Sequence, residues 1–310
     1  MKLLDITEEY WNKTALPDLE KNIPEALEHI AAGLVGNGSE CFGYDDEYSR
    51  DHDWGVDFFI WVDDDRKELI GPLKKWKEEL FRKLPPEHAR ARSAYGAVIE
   101  PLAAGDFYYS LIGMRRPSSE LFEWMRAPES SFAMAVNGKV FFDGSGRFTQ
   151  LRNGFLNYYP EDIRLKKIVK QCMMMAQTGQ YNLGRMAGRG DHVTAGLILA
   201  RFMEETMHMA FAINKVYMPY YKWAYRKLKE LPILGRELGE RLDWLSKAGP
   251  VNAGTLPGIE RSCEEICLMV EEVLTGQGLS ECRDSFLAAH GESVHRLIKD
   301  KGIASLPLQY

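Results

Sequence analysis

The sequence predicts an α+β protein, with an N-terminal mixed sheet and helices over residues 1–155 and a C-terminal α-helical bundle over residues 156–310. Three observations carry this. The first half alternates short apolar, β-branched or aromatic runs with helical patterns. From "YYPEDIRLKKIVKQCMMMAQ" onward the apolar spacing is helical almost throughout. A length of 310 residues is ample for two cores.

Taken in order, "HIAAGLVG" reads as a strand ending in glycine, and "WGVDFFIWV" as a second strand, aromatic and β-branched. "KELIGPLKKWKEELFRKL" has a helical period with its lysines outside. "AYGAVIEPL" is a third strand. "SSELFEWMRA" is a short helix opened by a capping box. "FAMAVNGKVFFDG" reads as a β-hairpin, with Asn137-Gly138 as a type I′ turn. In the second half "HVTAGLILARFMEETMHMAFAINKVY" is a long helix. "YYKWAYRKLKEL", "LGRELGERLDWLSK", "GIERSCEEICLMVEEVL" and "CRDSFLAAHGESVHRLIKD" follow it, separated by glycine and proline clusters.

The net charge of −6, with acids and bases interspersed, argues against an extended nucleic-acid partner. Five scattered cysteines (Cys41, Cys172, Cys263, Cys267 and Cys282) read as reduced thiols packed in cores. The N-terminus "MKLLDITEEYW" is too acidic and too short in apolar length for a signal peptide, and no stretch reaches eighteen apolar residues. The expected location is the cytoplasm.

The stretch "GNGSECFGYDDEYSRDHDWGVD" holds the candidate chemistry. On a strand, residues two apart share a face, roughly 6–7 Å from each other. Asp51 and Asp53 therefore project together, ahead of an apolar run. Two such carboxylates repel unless a divalent cation lies between them, and Mg²⁺ (or Mn²⁺) is commonly shared by carboxylates and substrate phosphates. Gly38 lets a ligand approach the backbone, and Ser39 is a suitable N-cap for a helix beginning at Glu40. A helix N-terminus seats phosphate. Asp45-Asp46-Glu47 reads as a solvated loop.

These residues resemble the signature of the DNA polymerase beta-like nucleotidyltransferase superfamily, in which a strand ends in Gly-Ser, a helix follows, and the next strand carries Asp-x-Asp. The chain is similar, more closely, to an uncharacterised bacterial family combining "GSE…DDE.SRDHDWG" with a distal "YMPYYKW", here Tyr217 to Trp223. The resemblance implies that Asp51 and Asp53 hold Mg²⁺ under a triphosphate whose β- and γ-phosphates touch Gly38 and Ser39. It implies a third carboxylate, for which Glu100 is the candidate, with Asp57 and Asp143 as competitors. It also implies a general base from the helical bundle, where Glu204 and Glu205 are candidates.

Further phosphate contacts are expected from Arg185 and Arg189 in "GRMAGRGDH", as bidentate clamps, and from Lys222 beside Tyr221, with Lys215 a lesser case. The methionines at 173–175, 203, 207 and 209 read as core. The expected activity is Mg²⁺-dependent transfer of a nucleoside monophosphate, AMP from ATP, to a hydroxyl or phosphate of a small-molecule or protein acceptor. The alternatives are a nucleotide sensor without turnover, and a helical ribonuclease built on Arg283 and His290 in "RDSFLAAH".

Overall fold

The computed structural model describes residues 2–50, 54–85 and 99–310. It is an α+β fold whose described residues form two compact units, 1–119 with 126–157, and 120–125 with 158–310. Residue 155, the expected boundary, lies in the last turn of a helix of the first unit, where the fully buried Phe155 stacks on Tyr108 at 4.7 Å.

The first unit opens with α1 (Leu3–Tyr10), a π-turn, and α2 (Leu16–Asn22), and then enters β1 (Ile30–Leu34). After two 3₁₀ turns come β2 (Phe59–Val62) and α3 (Ile70–Arg82). Next are β3 (Leu102–Ala103), α4 (Ala104–Ile112), α5 (Glu129–Val136), β4 (Lys139–Asp143) and α6 (Arg147–Leu156). The sheet order is β3-β2-β1-β4. β1 is antiparallel to both β2 and β4, and β2 is parallel to β3.

The period-two alternation of "FFIWV" explains why this sheet is covered on both faces. Phe58, Ile60 and Val62 join a core with Trp11 and Leu19, and with Leu73, Trp76 and Leu80 of α3. Phe59 and Trp61 face the other way. Trp61 stacks on Phe148 of α6 at 3.9 Å and meets Phe107 of α4 edge-on at 5.4 Å.

The expected hairpin around Asn137-Gly138 does not form. Phe132, Ala133, Ala135 and Val136 are buried at helical spacing and make α5, while "KVFFD" makes β4, which pairs with β1 and not with its own neighbour. Asn137 has φ −78°, outside the left-handed region that a type I′ turn demands. Gly138 does take φ +61°, and a Cβ there would sit 1.9 Å from the Leu34 carbonyl oxygen, so glycine is required by close approach to β1. The capping-box helix is also absent: residues Leu121–Met125 form a 3₁₀ turn between Pro117 and Pro128, too short to propagate an α-helix. Of "AYGAVIEPL", residues 94–98 lie outside the described residues, and strand pairing covers only Leu102–Ala103, just after Pro101.

The second unit is helical: α7 (Glu161–Met175), a π-turn, α8 (Leu183–Gly188), α9 (His192–Asn214), α10 (Tyr221–Leu228), α11 (Gly235–Lys247), α12 (Leu256–Gly276), α13 (Leu287–His295) and α14 (Lys301–Ala304). Buried cations on α7 donate to carbonyls near the ends of other segments. Arg164 Nε donates to Ala212 O at 3.0 Å near the end of α9, and Lys166 Nζ donates to Leu306 O and Pro307 O at 2.8 and 2.7 Å. Asp191 caps α9 by accepting from Thr194 N at 3.1 Å. No helix among the described residues is long and apolar enough to cross a membrane.

Candidate functional site

The antiparallel register Gly33↔Phe59 puts the chain leaving β1 and the chain feeding β2 at one end of the sheet. The parallel register Trp61↔Leu102 brings the approach to β3 to that same end. One side chain bolts these approaches together. Lys77 of α3, almost fully buried, donates to Asp57 Oδ1 at 2.7 Å, to Phe58 O at 2.6 Å and to Ile99 O at 2.8 Å. Its ammonium also lies about 5 Å from the Phe58 and Phe81 ring centroids. The expected arrangement had the lysines of this helix outside. Lys77 lies instead on the stripe of Leu73, Trp76 and Leu80, which it joins at i, i+3 and i+4 spacing.

The turn after β1 is held from a distance. Gly36 N donates to Asn137 Oδ1 at 3.0 Å, and Asn137 Nδ2 donates back to Gly36 O at 2.6 Å. Ser39 does not cap an α-helix. A single 3₁₀ turn spans Ser39–Phe42 with Gly38 at its N-cap, because Gly43 adopts φ +68° and stops it. The buried Ser39 hydroxyl donates to Ser49 Oγ at 2.9 Å, which in turn donates to Asp46 Oδ1 at 3.2 Å. The Glu40 carboxylate lies against Gly38, where a Cβ would meet its oxygens at 2.2 Å. Asp45, expected in a solvated loop, is buried, and its Oδ2 accepts from Leu3 N at 3.0 Å at the start of α1. That open helix end needs an acceptor, and Asp45 supplies it.

Asp51 and Asp53 lie outside the described residues. Each candidate for a third carboxylate already has protein partners. Glu100, at the shared sheet end, is exposed and pairs with Lys74 at 2.8 Å, and this raises the lysine's pKa. Asp57 pairs with Lys77. Asp143 accepts from Gly146 N at 2.9 Å and Thr149 N at 2.7 Å. Among the described residues no group of three His, Cys, Asp or Glu side chains could hold a metal. They therefore do not form a metal cage by themselves, and a Mg²⁺ or Mn²⁺ ion would depend on Asp51 and Asp53.

The remaining sequence-expected residues belong to the second unit. Arg185 donates to the Tyr181 hydroxyl and lies 4.6 Å over that ring; Arg189 is exposed in the turn before α9, its Nη1 3.7 Å from Met186 Sδ. Lys215 ends α9 in the left-handed region and approaches Glu161 at 3.6 Å. Tyr221 is exposed against Tyr220, and Lys222 lies 5.1 Å over the Trp223 ring.

Glu205 differs from the expected general base. It is buried on α9, where desolvation lifts its carboxyl above the ordinary range against the opposing pull of Arg201, His208 and Lys170. It pairs with Arg201 while Oε1 lacks a well-directed hydrogen bond. In this setting it has no open side from which to take a substrate proton. Glu204 is more open and accepts from Arg201 at 2.9 Å.

The ribonuclease alternative loses its base. His290 is fully buried, with Nδ1 2.9 Å from Ser280 Oγ and Nε2 2.8 Å from Asp284 O. Asp284's carbonyl can only accept, so Nε2 donates to it, and Ser280 Oγ occupies Nδ1.

The residues that sequence reasoning missed are Lys77, Asn137 and Ser49. Lys77 was legible from its place on the apolar stripe of α3. Asn137 and Ser49 had no comparable signal, because their partners are 101 and 10 residues away.

The family described as "Domain of unknown function (DUF4037)" matches residues 124–224, less than half of the chain. The match takes in α5, β4, α6 to α9 and the Tyr217–Trp223 segment, and it excludes the Gly38–Asp57 stretch. No curated protein and no solved structure matches the chain.

Proposed function

We propose that the protein is a Mg²⁺-dependent nucleotidyltransferase of the cytoplasm that moves a nucleoside monophosphate, AMP from ATP, to a hydroxyl or phosphate of an acceptor. The observation that supports this is the sheet register. The chain leaving β1 toward Gly38 and Ser39, and Asp57 and Phe58 leading into β2, lie at one end of the sheet. In the sequence a Gly-Ser turn precedes an Asp-x-Asp segment, the combination that phosphate and metal-bound phosphate oxygens call for.

In this reading the ion, when bound, supplies charge neutralisation at the triphosphate. Gly38 offers a backbone without a side chain for close approach. Ser39 turns its hydroxyl from Ser49 to a phosphate oxygen. Lys77 keeps the starts of β2 and β3 in register. The acceptor is a small molecule or a protein side chain, in keeping with the acidic chain.

A second reading, nucleotide binding without transfer, draws on one specific observation: Glu100, Asp57 and Asp143 are each held by protein donors. The two readings separate in one assay. The full chain is incubated with α-labelled ATP, Mg²⁺ and a cell extract. Label carried to an acceptor by the parent protein, and lost in Asp51→Asn and Asp53→Asn, is the expected result. Metal-dependent ATP binding with no labelled acceptor favours the sensor. Absence of ATP binding overturns both.

A further inference from the structure

We propose that the exposed face of α10 binds a short stretch of single-stranded nucleic acid, with phosphates on Lys222 and Lys229 and a base stacked on Tyr221. Lys222, Arg226 and Lys229 recur at i, i+4 and i+7, so they share one face of the helix, and all three are exposed. From Tyr221 to Lys229 the chain carries no acidic residue. Among the described residues no carboxylate lies within ion-pair distance of Lys222 or Lys229; the adjacent Glu230 is taken by Lys227 at 2.8 Å. The two lysines rest on rings instead, Lys222 at 5.1 Å from the Trp223 centroid and Lys229 at 4.8 Å from that of Tyr225. Asp243 of α11, whose charge reaches Tyr225, is paired with Lys247 at 2.6 Å and adds no net charge to this face.

Charge and aromatic surface together select the occupant. Tyr221 is 72% exposed, and with Tyr220, 4.4 Å away by ring centroids, it forms an open aromatic step at the start of the helix. Unneutralised cations beside exposed rings are what a single strand uses, phosphates on the first and bases on the second. An acidic peptide would use the lysines and leave the rings idle. A lipid surface calls for an apolar face free to insert, and Ala224 and Leu228, the apolar side of α10, are fully buried. Lys222 and Lys229 are about 10 Å apart at 1.5 Å per residue, roughly the length of three stacked nucleotides. The chain's net charge of −6 is a sum over the whole surface, whereas a bound strand responds to charges within about 10 Å. The binding does not depend on nucleotide transfer.

The test is fluorescence anisotropy of the full chain with a labelled single-stranded oligoadenylate over a range of salt concentrations. The expected result is binding that weakens with salt, log K against log[salt] having a slope of about −1.4 for two phosphates. Lys222→Gln combined with Lys229→Gln removes most of that slope. Tyr221→Ala weakens binding at least about fivefold and leaves the slope in place, the lower end for one base on an aromatic ring, while Tyr221→Phe binds as the parent does. All these side chains are exposed, so the circular dichroism spectrum stays that of the parent. Inorganic polyphosphate, Mg²⁺-ATP and phosphatidylserine vesicles serve as competitors. Polyphosphate that competes equally at equal phosphate concentration marks a face without base recognition, ATP that competes at micromolar concentration assigns the lysines to a mononucleotide, and vesicles that compete assign them to lipid. Each of these outcomes overturns the proposal, as does the absence of binding at low salt or binding unchanged in the double glutamine variant.

Discussion

The ammonium of Lys77 lies 2.7 Å from Oδ1 of Asp57, with both side chains more than nine-tenths buried. The pair closes the end of the sheet at which β1 is left and β2 and β3 begin. Neither charge is useful alone in that environment. Lys77→Met removes one partner and leaves the Asp57 carboxylate buried. The expected loss is about 3–5 kcal/mol of folding free energy, the range for breaking a buried pair from one side. Urea denaturation at neutral pH measures it, and a loss below about 1 kcal/mol, the level of an exposed pair, would mean that Phe58 O and Ile99 O carry no structural load through this lysine.

Asn137 grips Gly36 by both its donor and its acceptor. Asn137→Ala is expected to cost about 1–3 kcal/mol, from two unmet backbone groups. Asn137→Asp keeps the acceptor for Gly36 N but cannot donate to Gly36 O. It is expected to fall between the parent and the alanine variant in thermal stability. Equal melting temperatures for all three would remove the clamp from the account of how the Gly38–Ser39 turn is held.

Glu205 gives the second unit a pH dependence of stability. Burial raises its folded carboxyl above the unfolded value, so the protonated form is the one the fold favours. The stabilisation is fully present below the unfolded pKa and is lost as pH rises through the raised folded one. Glu205→Gln lacks this titration. Its melting temperature is expected to exceed the parent's at neutral pH, with Glu204 still holding Arg201, and the gap is expected to close as pH falls into the carboxylate range. A gap that widens on acidification would contradict the burial argument.

None of the five cysteines is in a disulfide, and four are buried. Desolvation pushes the Cys172 thiol up, and the Cys263 thiol up to about 12, while Cys267 is raised by burial and by its neighbours Cys263 and Cys172. Thiolate is the reactive form. Titration with an aromatic disulfide reagent at neutral pH is expected to label Cys282 promptly and the others only on unfolding. Prompt labelling of three or more thiols would show that the core of the second unit opens readily.

Period and punctuation made most of the framework legible. "HIAAGLVG" and "FFIWV" carry their strands in their own composition, and α7, α9, α11 and α12 in their own spacing. The failures have one cause. "FAMAVNGKVFFDG" has a strong local turn signal, but Phe132 and Val136 bury as a helix face and β4 finds β1, more than a hundred residues earlier. Ser39 is a good N-cap by type, yet its hydroxyl is taken by Ser49. Glu205 looked like any glutamate on a helix, and only the packing of α9 showed that it is buried.

By itself the sequence determined that α3, α7, α9, α11 and α12 are helices and that β1 and β2 are strands, because apolar periodicity is a local property that each segment states on its own. It also determined that carboxylates and a Gly-Ser turn stand close together in the chain. Only the tertiary structure decided that Lys77 joins Asp57 to Ile99 and that Asn137 holds Gly36. Those choices depend on which distant groups are left without water once the sheet is covered, and desolvation is a property of the assembled fold.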